Sequence, residues 1–414
     1  MKISGQDYTL RVLENGLKIV HLLSPRSCSG IFGIAVRAGS RDERPGEYGL
    51  AHFVEHTIFK GTRRRSSWHI INRMEAVGGE LNAYTTKEET VVYSIFPNGT
   101  APRAIELIAD LVKESRFPER EIDKEREVVA DEIDSYLDTP SEAVFDDFEE
   151  LLFKGHPVAH NILGTRENLQ SFTPETCRRY LHDYYTASNM VAFYCGPQSA
   201  DRITGHIRKY FGDMTATPRP TDPATGIFTP APPARIHKDI DSHQAHTVAG
   251  ICAGSVFSSE RFAIALLANI SGGPGMNSLL NVEMREKRGL VYSVETSTSM
   301  FSDCGMFAVY FGCDPDDTDR CLHIMNKVFA GIADGSELNA RKLSQAKKQY
   351  IGQLQIASEN RENSILSAAR STLYLGRPAT VAEVSAAIDA VDAESVRSIA
   401  ARMQSAAILT FGPK

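Results

Sequence analysis

A chain of 414 residues exceeds what one hydrophobic core usually holds together, so two or more domains are expected. Hydrophobic residues make up 42% and charged residues 23%, the balance of an ordinary water-facing globular protein. A net charge of −7 and a pI near 6.0 argue against nucleic acid as the main partner, since phosphate binding needs a basic surface. No run approaches the roughly eighteen consecutive apolar residues of a membrane span. The opening Met1–Tyr8 has neither an apolar signal core nor an Arg/Ser-rich amphipathic presequence. Seven cysteines without a C-x-x-C pair suit reduced, mostly buried thiols in a cytoplasm, although a mature chain stripped of an export signal reads the same.

In chain order, Leu17–Leu23 and Ile31–Ala38 have the apolar, β-branched character of strands, and a helix is expected over Tyr48–Phe59. A further helix is expected over Ser67–Val77, an alternating strand over Glu89–Ile95, then helices over Ala101–Glu114 and Glu119–Tyr136. Between Thr215 and Arg235 stand Pro218, Pro220, Pro223, Pro230, Pro232 and Pro233, a density that prevents helix and favours an extended connector. The expected division is therefore 1–214, a proline-rich linker 215–235, and 236–414.

The two halves resemble each other. Val36-Arg37-Ala38-Gly39-Ser40 is echoed by Ile251-Cys252-Ala253-Gly254-Ser255, and Phe193-Tyr194-Cys195-Gly196-Pro197 by Leu409-Thr410-Phe411-Gly412-Pro413. Each closing strand follows a capped helix, opened by Thr173-Pro174-Glu175 in one half and Asp392-Ala393-Glu394 in the other. The fold class expected is α+β, with two homologous αβ domains produced by duplication.

The pentad His52-Phe53-Val54-Glu55-His56 carries the chemistry. Positions i and i+4 share one helix face, so both imidazoles can reach one ion, and Glu55 stands beside them as a base rather than a ligand. H-x-x-E-H is the inverse of the H-E-x-x-H zinc signature. Zinc suits such a site because it acidifies its water to a pKa of about 7 and polarises a carbonyl without redox chemistry. A third donor is expected from Glu125-Arg-Glu-Val-Val-Ala-Asp-Glu132. Glu125 and Glu132 lie two helical turns apart on one face, so that one could bind the metal while the other supports it.

The pentad, followed by this Glu-Arg-Glu-Val-Val-x-x-Glu run, resembles the pitrilysin/insulinase family of zinc peptidases, in its half-length bacterial form similar to the mitochondrial processing peptidase beta subunit. The resemblance implies His52, His56 and Glu132 as ligands of one zinc per chain, Glu55 as general base and Glu125 as the supporting acid. Gly78-Gly79-Glu80-Leu81-Asn82-Ala83-Tyr84-Thr85 resembles the family's edge strand, which implies backbone pairing of an extended substrate along Asn82, Ala83 and Tyr84. Arg285-Glu-Lys-Arg-Gly-Leu-Val-Tyr292 resembles the C-terminal segment whose Arg and Tyr contact substrate, implying a carbonyl-holding role for Arg285 and Tyr292. Ser271-Gly-Gly-Pro-Gly-Met-Asn-Ser278 resembles the Gly-rich loop before it and lacks the Lys of a phosphate loop.

Superposing the two Ala-Gly-Ser runs puts Leu267, Ile270 and Ser271 where His52, Glu55 and His56 stand, so the second half is expected to lack the metal site. Family members of this length form half of a clamshell, and two chains enclose a chamber. With both residue sets on one chain, a homodimeric zinc endopeptidase acting on oligopeptides or unfolded segments is the function implied. A catalytically silent scaffold subunit and a presequence-processing subunit of a heterodimer are the alternatives.

Overall fold

The computed structural model describes residues 8–218, 220 and 232–413, so most of the expected linker lies outside the described residues. The first half runs β1 Tyr8–Val12, β2 Lys18–Leu23, β3 Ser29–Val36, α1 Leu50–Thr57, α2 Ser67–Glu75, β4 Glu80–Thr85, β5 Thr90–Pro97, α3 Ala101–Glu114, α4 Glu119–Leu137, α5 Pro140–Leu152, α6 Arg166–Leu169, α7 Pro174–Tyr184, β6 Met190–Gly196 and α8 Ala200–Phe211. The second runs β7 Arg235–Asp239, β8 Ala245–Ala253, α9 Arg261–Gly272, β9 Val291–Met300, β10 Gly305–Cys313, α10 Thr318–Asp334, α11 Ala340–Ala357, α12 Arg361–Leu375, α13 Val381–Ala390, α14 Ala393–Arg402 and β11 Ala407–Gly412. The fold is α+β with two sheets.

Sheet topology exposes the duplication. The first sheet is ordered β1-β2-β6-β3-β5-β4 and the second β7-β11-β8-β10-β9. Leaving out β1, each sheet places its first strand beside its last, then the second, fourth and third in chain order. The pairing senses match as well: β2 is parallel to β6 as β7 is to β11, and every other neighbour is antiparallel. Two sheets with this shared, non-sequential order are the structural imprint of one ancestral unit used twice.

The described residues fall into two compact units that follow the two halves except for one exchanged piece from each. Ser135–Ala159, containing α5, belongs to the second unit, and Ala357–Ala382, containing α12, belongs to the first. Ala143, Val144, Phe148 and Leu152 of α5 are buried with Val248, Ala308, Tyr310, Leu409 and Phe411 of the second sheet. Ile365, Ala368 and Ala369 of α12 are buried with Val20, Ile31, Ala35, Val91, Val191 and Phe193 of the first. Each sheet carries α1, α3 and α7, or their counterparts α9, α10 and α14, in the core on its other face. Both faces are thus covered, which is why β3, β6 and β10 read as largely continuous apolar runs rather than alternating ones.

Truncating a fully buried aliphatic side chain costs about 2–5 kcal/mol. Ile365 is completely buried, so Ile365→Ala is expected to lower stability by about that amount. Although the residue lies late in the chain, the accelerated amide exchange should appear in β2, β3 and β6. Acceleration confined to the second sheet would contradict the exchange of helices.

Candidate metal centre

Helix α1 is short because of what flanks it. Gly49 sits at φ +99°, outside the helical region, so the helix begins at Leu50 rather than Tyr48, and after Thr57 the chain tightens into a 3-10 turn over Ile58–Lys60. Leu50, Ala51, Phe53, Val54 and Thr57 are buried, and Phe53 packs on Phe172 with ring centroids 5.3 Å apart. The apolar residues fill one side of the helix and leave His52, Glu55 and His56 along the other. Helix α4 presents a mixed face: Ile122, Glu125, Val129 and Ile133 are buried, whereas Val128 is half exposed.

These two helices bring His52, His56 and Glu132 together, with one donor atom from each lying within 4.8 Å of the others. His52 Nε2 is 3.7 Å from Glu132 Oε1, and His56 Nε2 is 3.4 Å from Glu132 Oε2. The imidazoles meet edge to face, their centroids 4.5 Å apart. Glu125 stands behind His56, its Oε1 accepting from Nδ1 at 3.1 Å, which leaves Nε2 as the ring's lone-pair donor. The other Glu125 oxygen is 2.7 Å from Lys60 Nζ.

The site's electrostatics favour a cation. Burial, with a smaller contribution from the neighbouring His56, pushes His52 down to about 3, so this imidazole stays neutral, the form that ligates metals. Burial works against protonation of His56 too, but the Glu125 hydrogen bond and the charges of Glu132, Glu55 and Glu125 outweigh it and hold His56 above its ordinary value. Burial also opposes ionisation of Glu125, yet the hydrogen bonds from His56 and Lys60 keep it below the usual carboxylate range. Glu55 is raised, first by its own burial and next by Glu132, against a hydrogen bond from Thr85 and the charge of His56. Two imidazoles and one carboxylate form a donor set that zinc accepts with a fourth position open, and the residues present fit that ion.

Lys60 and Thr85 were not identified from sequence as parts of the site. Lys60 fixes Glu125, and Thr85, the last residue of β4, ties Glu55 to the edge of the sheet. Asn82, Ala83 and Tyr84 lie on β4, which among the described residues pairs only with β5 and forms the end of its sheet. Arg285 and Tyr292 belong to the second unit, both exposed, Arg285 on a π-helical turn at Asn281–Glu286 and Tyr292 on β9.

The second unit has different chemistry at the corresponding place. Leu267 and Ser271 are buried on α9, and the Ser271 hydroxyl donates to the Leu267 carbonyl at 2.8 Å. Gln353 holds the fourteenth position of α11, as Glu132 does in α4, and accepts from Asn269 Nδ2 at 2.6 Å. The second unit thus joins the corresponding helices through a neutral amide pair, while Leu267 and Ser271 occupy the positions of His52 and His56. Another His/Cys/Asp group, His156, Asp303 and Cys304, also lies in the second unit. His156 lies against Asp303 through Nε2 at 3.2 Å and against Cys304 through Nδ1 at 4.0 Å, which ties the β9–β10 turn to the segment after α5.

Comparison with known proteins agrees with this layout. The insulinase (peptidase family M16) profile matches residues 21–166, and the peptidase M16 inactive-domain profile matches 171–350. An uncharacterized zinc protease of Bacillus subtilis is 31% identical over 94% of this chain and 94% of its own length. One from Streptomyces coelicolor is 32% identical over 94% and 85%. Among solved structures, a protease from Helicobacter pylori superposes with a TM-score of 0.88 over 99% of this chain and 100% of that one, at 18% identity. A peptidase M16 inactive domain from Pseudomonas fluorescens gives the same score and identity over 99% and 98%. At that identity the two structures support the fold alone.

If Glu132 is a direct donor and Glu125 a support for His56, Glu132→Gln will weaken zinc binding far more than Glu125→Gln. The latter should cost about tenfold to a hundredfold. Competition with a chromogenic chelator ranks the two, and the reverse order would exchange their roles.

Proposed function

Because the chain belongs to the insulinase (M16) peptidase family, we propose that it is an active zinc-dependent endopeptidase, with one zinc held by His52, His56 and Glu132. The observation that carries the reading is the meeting of two imidazoles and a carboxylate on α1 and α4, with Glu55 on the same helix and bound to none of them. Zinc bound there supplies Lewis acidity, polarising a peptide carbonyl and making water nucleophilic near neutral pH.

The chain's own residues do the rest. Glu55 takes a proton from the attacking water and passes it to the leaving nitrogen, a role suited to a carboxyl that burial has raised toward working pH. Glu125 and Lys60 fix the His56 ring. The free side of β4 offers backbone N–H and C=O groups to an extended peptide, so that Asn82, Ala83 and Tyr84 grip the main chain with little demand on its sequence. Arg285 and Tyr292 are assigned to holding the substrate carbonyl, for which their exposure leaves them available.

Because one chain carries both sets of residues, the assembly proposed is a homodimer enclosing a chamber for oligopeptides or unfolded segments. A cytoplasmic location is supported by seven cysteines that are all free. Among the described residues no helix is long and apolar enough to cross a membrane.

Glu55→Gln tests the reading. The variant should keep its zinc and lose at least about a hundredfold in cleavage of a quenched peptide, the usual cost of removing a general base. Loss of the metal together with activity would make Glu55 a ligand instead. Undiminished cleavage would overturn the site assignment. Tyr292→Phe and Arg285→Ala should likewise retain zinc but slow turnover by up to about a hundredfold to a thousandfold, the cost of losing an oxyanion donor. Unchanged turnover in both variants would remove the second unit from the chemistry.

A further inference from the structure

Helix α1 carries two metal donors but has no side-chain cap of its own, because its N-cap residue is Gly49. The N–H of Leu50 goes to the Glu47 carbonyl, whereas those of Gly49 and Ala51 on either side are taken by a carboxylate from earlier in the chain. Glu43 Oε2 accepts from the Gly49 N–H at 2.9 Å, and Oε1 accepts from the Ala51 N–H at 2.7 Å. The Glu43 side chain is 0% exposed. Its Oε2 also lies 3.0 Å from His160 Nε2, which is 2.9 Å from the Ser40 carbonyl. A carbonyl can only accept, so Nε2 carries the proton and points it at both oxygens.

His160 is itself fixed. Its ring stacks on Tyr48 with centroids 4.0 Å apart, and its carbonyl accepts from Lys87 Nζ at 2.6 Å. The backbones around it close tightly. A Cβ on Gly49 would meet Leu163 O at 2.5 Å, and one on Gly164 would meet Tyr48 O at 2.0 Å. With φ at +99° and +71°, both positions require glycine.

A buried carboxylate is costly unless its oxygens are satisfied, and here each oxygen has a donor. Burial pushes the Glu43 carboxyl above its ordinary value, while the His160 and backbone hydrogen bonds pull the other way. Its place at a helix N-terminus also sets negative charge against the positive end of the helix dipole. An eight-residue helix is marginal by itself and depends on tertiary contacts; its buried face supplies some of these, and Glu43 adds a polar grip at Ala51, the neighbour of His52.

We propose that Glu43, locked by His160, is the positioning residue of the metal-binding helix, setting the rotation and height at which His52 and His56 face Glu132. The inference rests on the zinc reading above. Glu43→Gln preserves volume but turns one acceptor into an amide NH2 that opposes an N–H donor. His160→Gln shortens the lock and leaves the carboxylate.

The test is zinc affinity, measured by chelator competition on metal-stripped full-length protein well below its unfolding temperature. Ile365→Ala, on the opposite face of the same sheet, serves as the stability control. Glu43→Gln should weaken zinc binding about tenfold to a hundredfold, as loss of an outer partner does. His160→Gln should weaken it in the same direction by less, and Ile365→Ala by no more than about twofold. Either substitution at the clamp suffices to decide. Affinity within about twofold of the parent overturns the proposal, as does an equal loss in Ile365→Ala. Failure of the parent chain to bind zinc at all would overturn the zinc reading itself, and this proposal with it.

Discussion

Around two imidazoles the chain gathers three carboxylates, Glu55, Glu125 and Glu132, in surroundings that are half-buried or more, and Lys60 balances one of them. With both imidazoles neutral, as metal binding requires, two negative charges remain. Such an excess is unfavourable in a partly desolvated site unless a cation shares it. A divalent ion held there would settle the charge and use the lone pairs that the geometry points inward. The arrangement of α1 against α4, the Lys60–Glu125 pair and the Glu43 clamp follow from the need to hold those groups together.

The duplicated fold shows what that need adds to a common scaffold. Both units build the same strand order and cover both faces of their sheets. In the second, Asn269 and Gln353 form a neutral pair between the corresponding helices, which needs no ion to be stable. That unit carries Arg285 and Tyr292 exposed. Exchange of α5 and α12 makes each sheet depend on a helix from the other half of the chain. Neither half of the sequence therefore contains everything its own core needs.

What the sequence disclosed was local. The i, i+4 spacing of His52 and His56 and the two-turn spacing of Glu125 and Glu132 are properties of single helices, so the meeting of all four could be anticipated. Repeated short strings exposed the duplication because strand ends and caps keep their residue types. Strand order was not legible, since pairing partners are set by contacts distant in sequence. The exchange of α5 and α12 was hidden for the same reason: an amphipathic helix does not announce which sheet it covers. Val128 and Val129 look equivalent between the two glutamates, yet only Val129 is buried. Lys60, Thr85, Glu43 and His160 are ordinary residues by type and gain their roles through tertiary contacts. Lys60 follows the pentad by four residues, but nothing in the sequence around it points it at Glu125.

The most direct test of the account is anomalous diffraction at the zinc absorption edge from crystals of the unmodified protein. One peak per chain is predicted, bounded by the Nε2 atoms of His52 and His56 and the carboxylate of Glu132. A peak at His156, Asp303 and Cys304 instead, or none in protein that cleaves peptides, would contradict it.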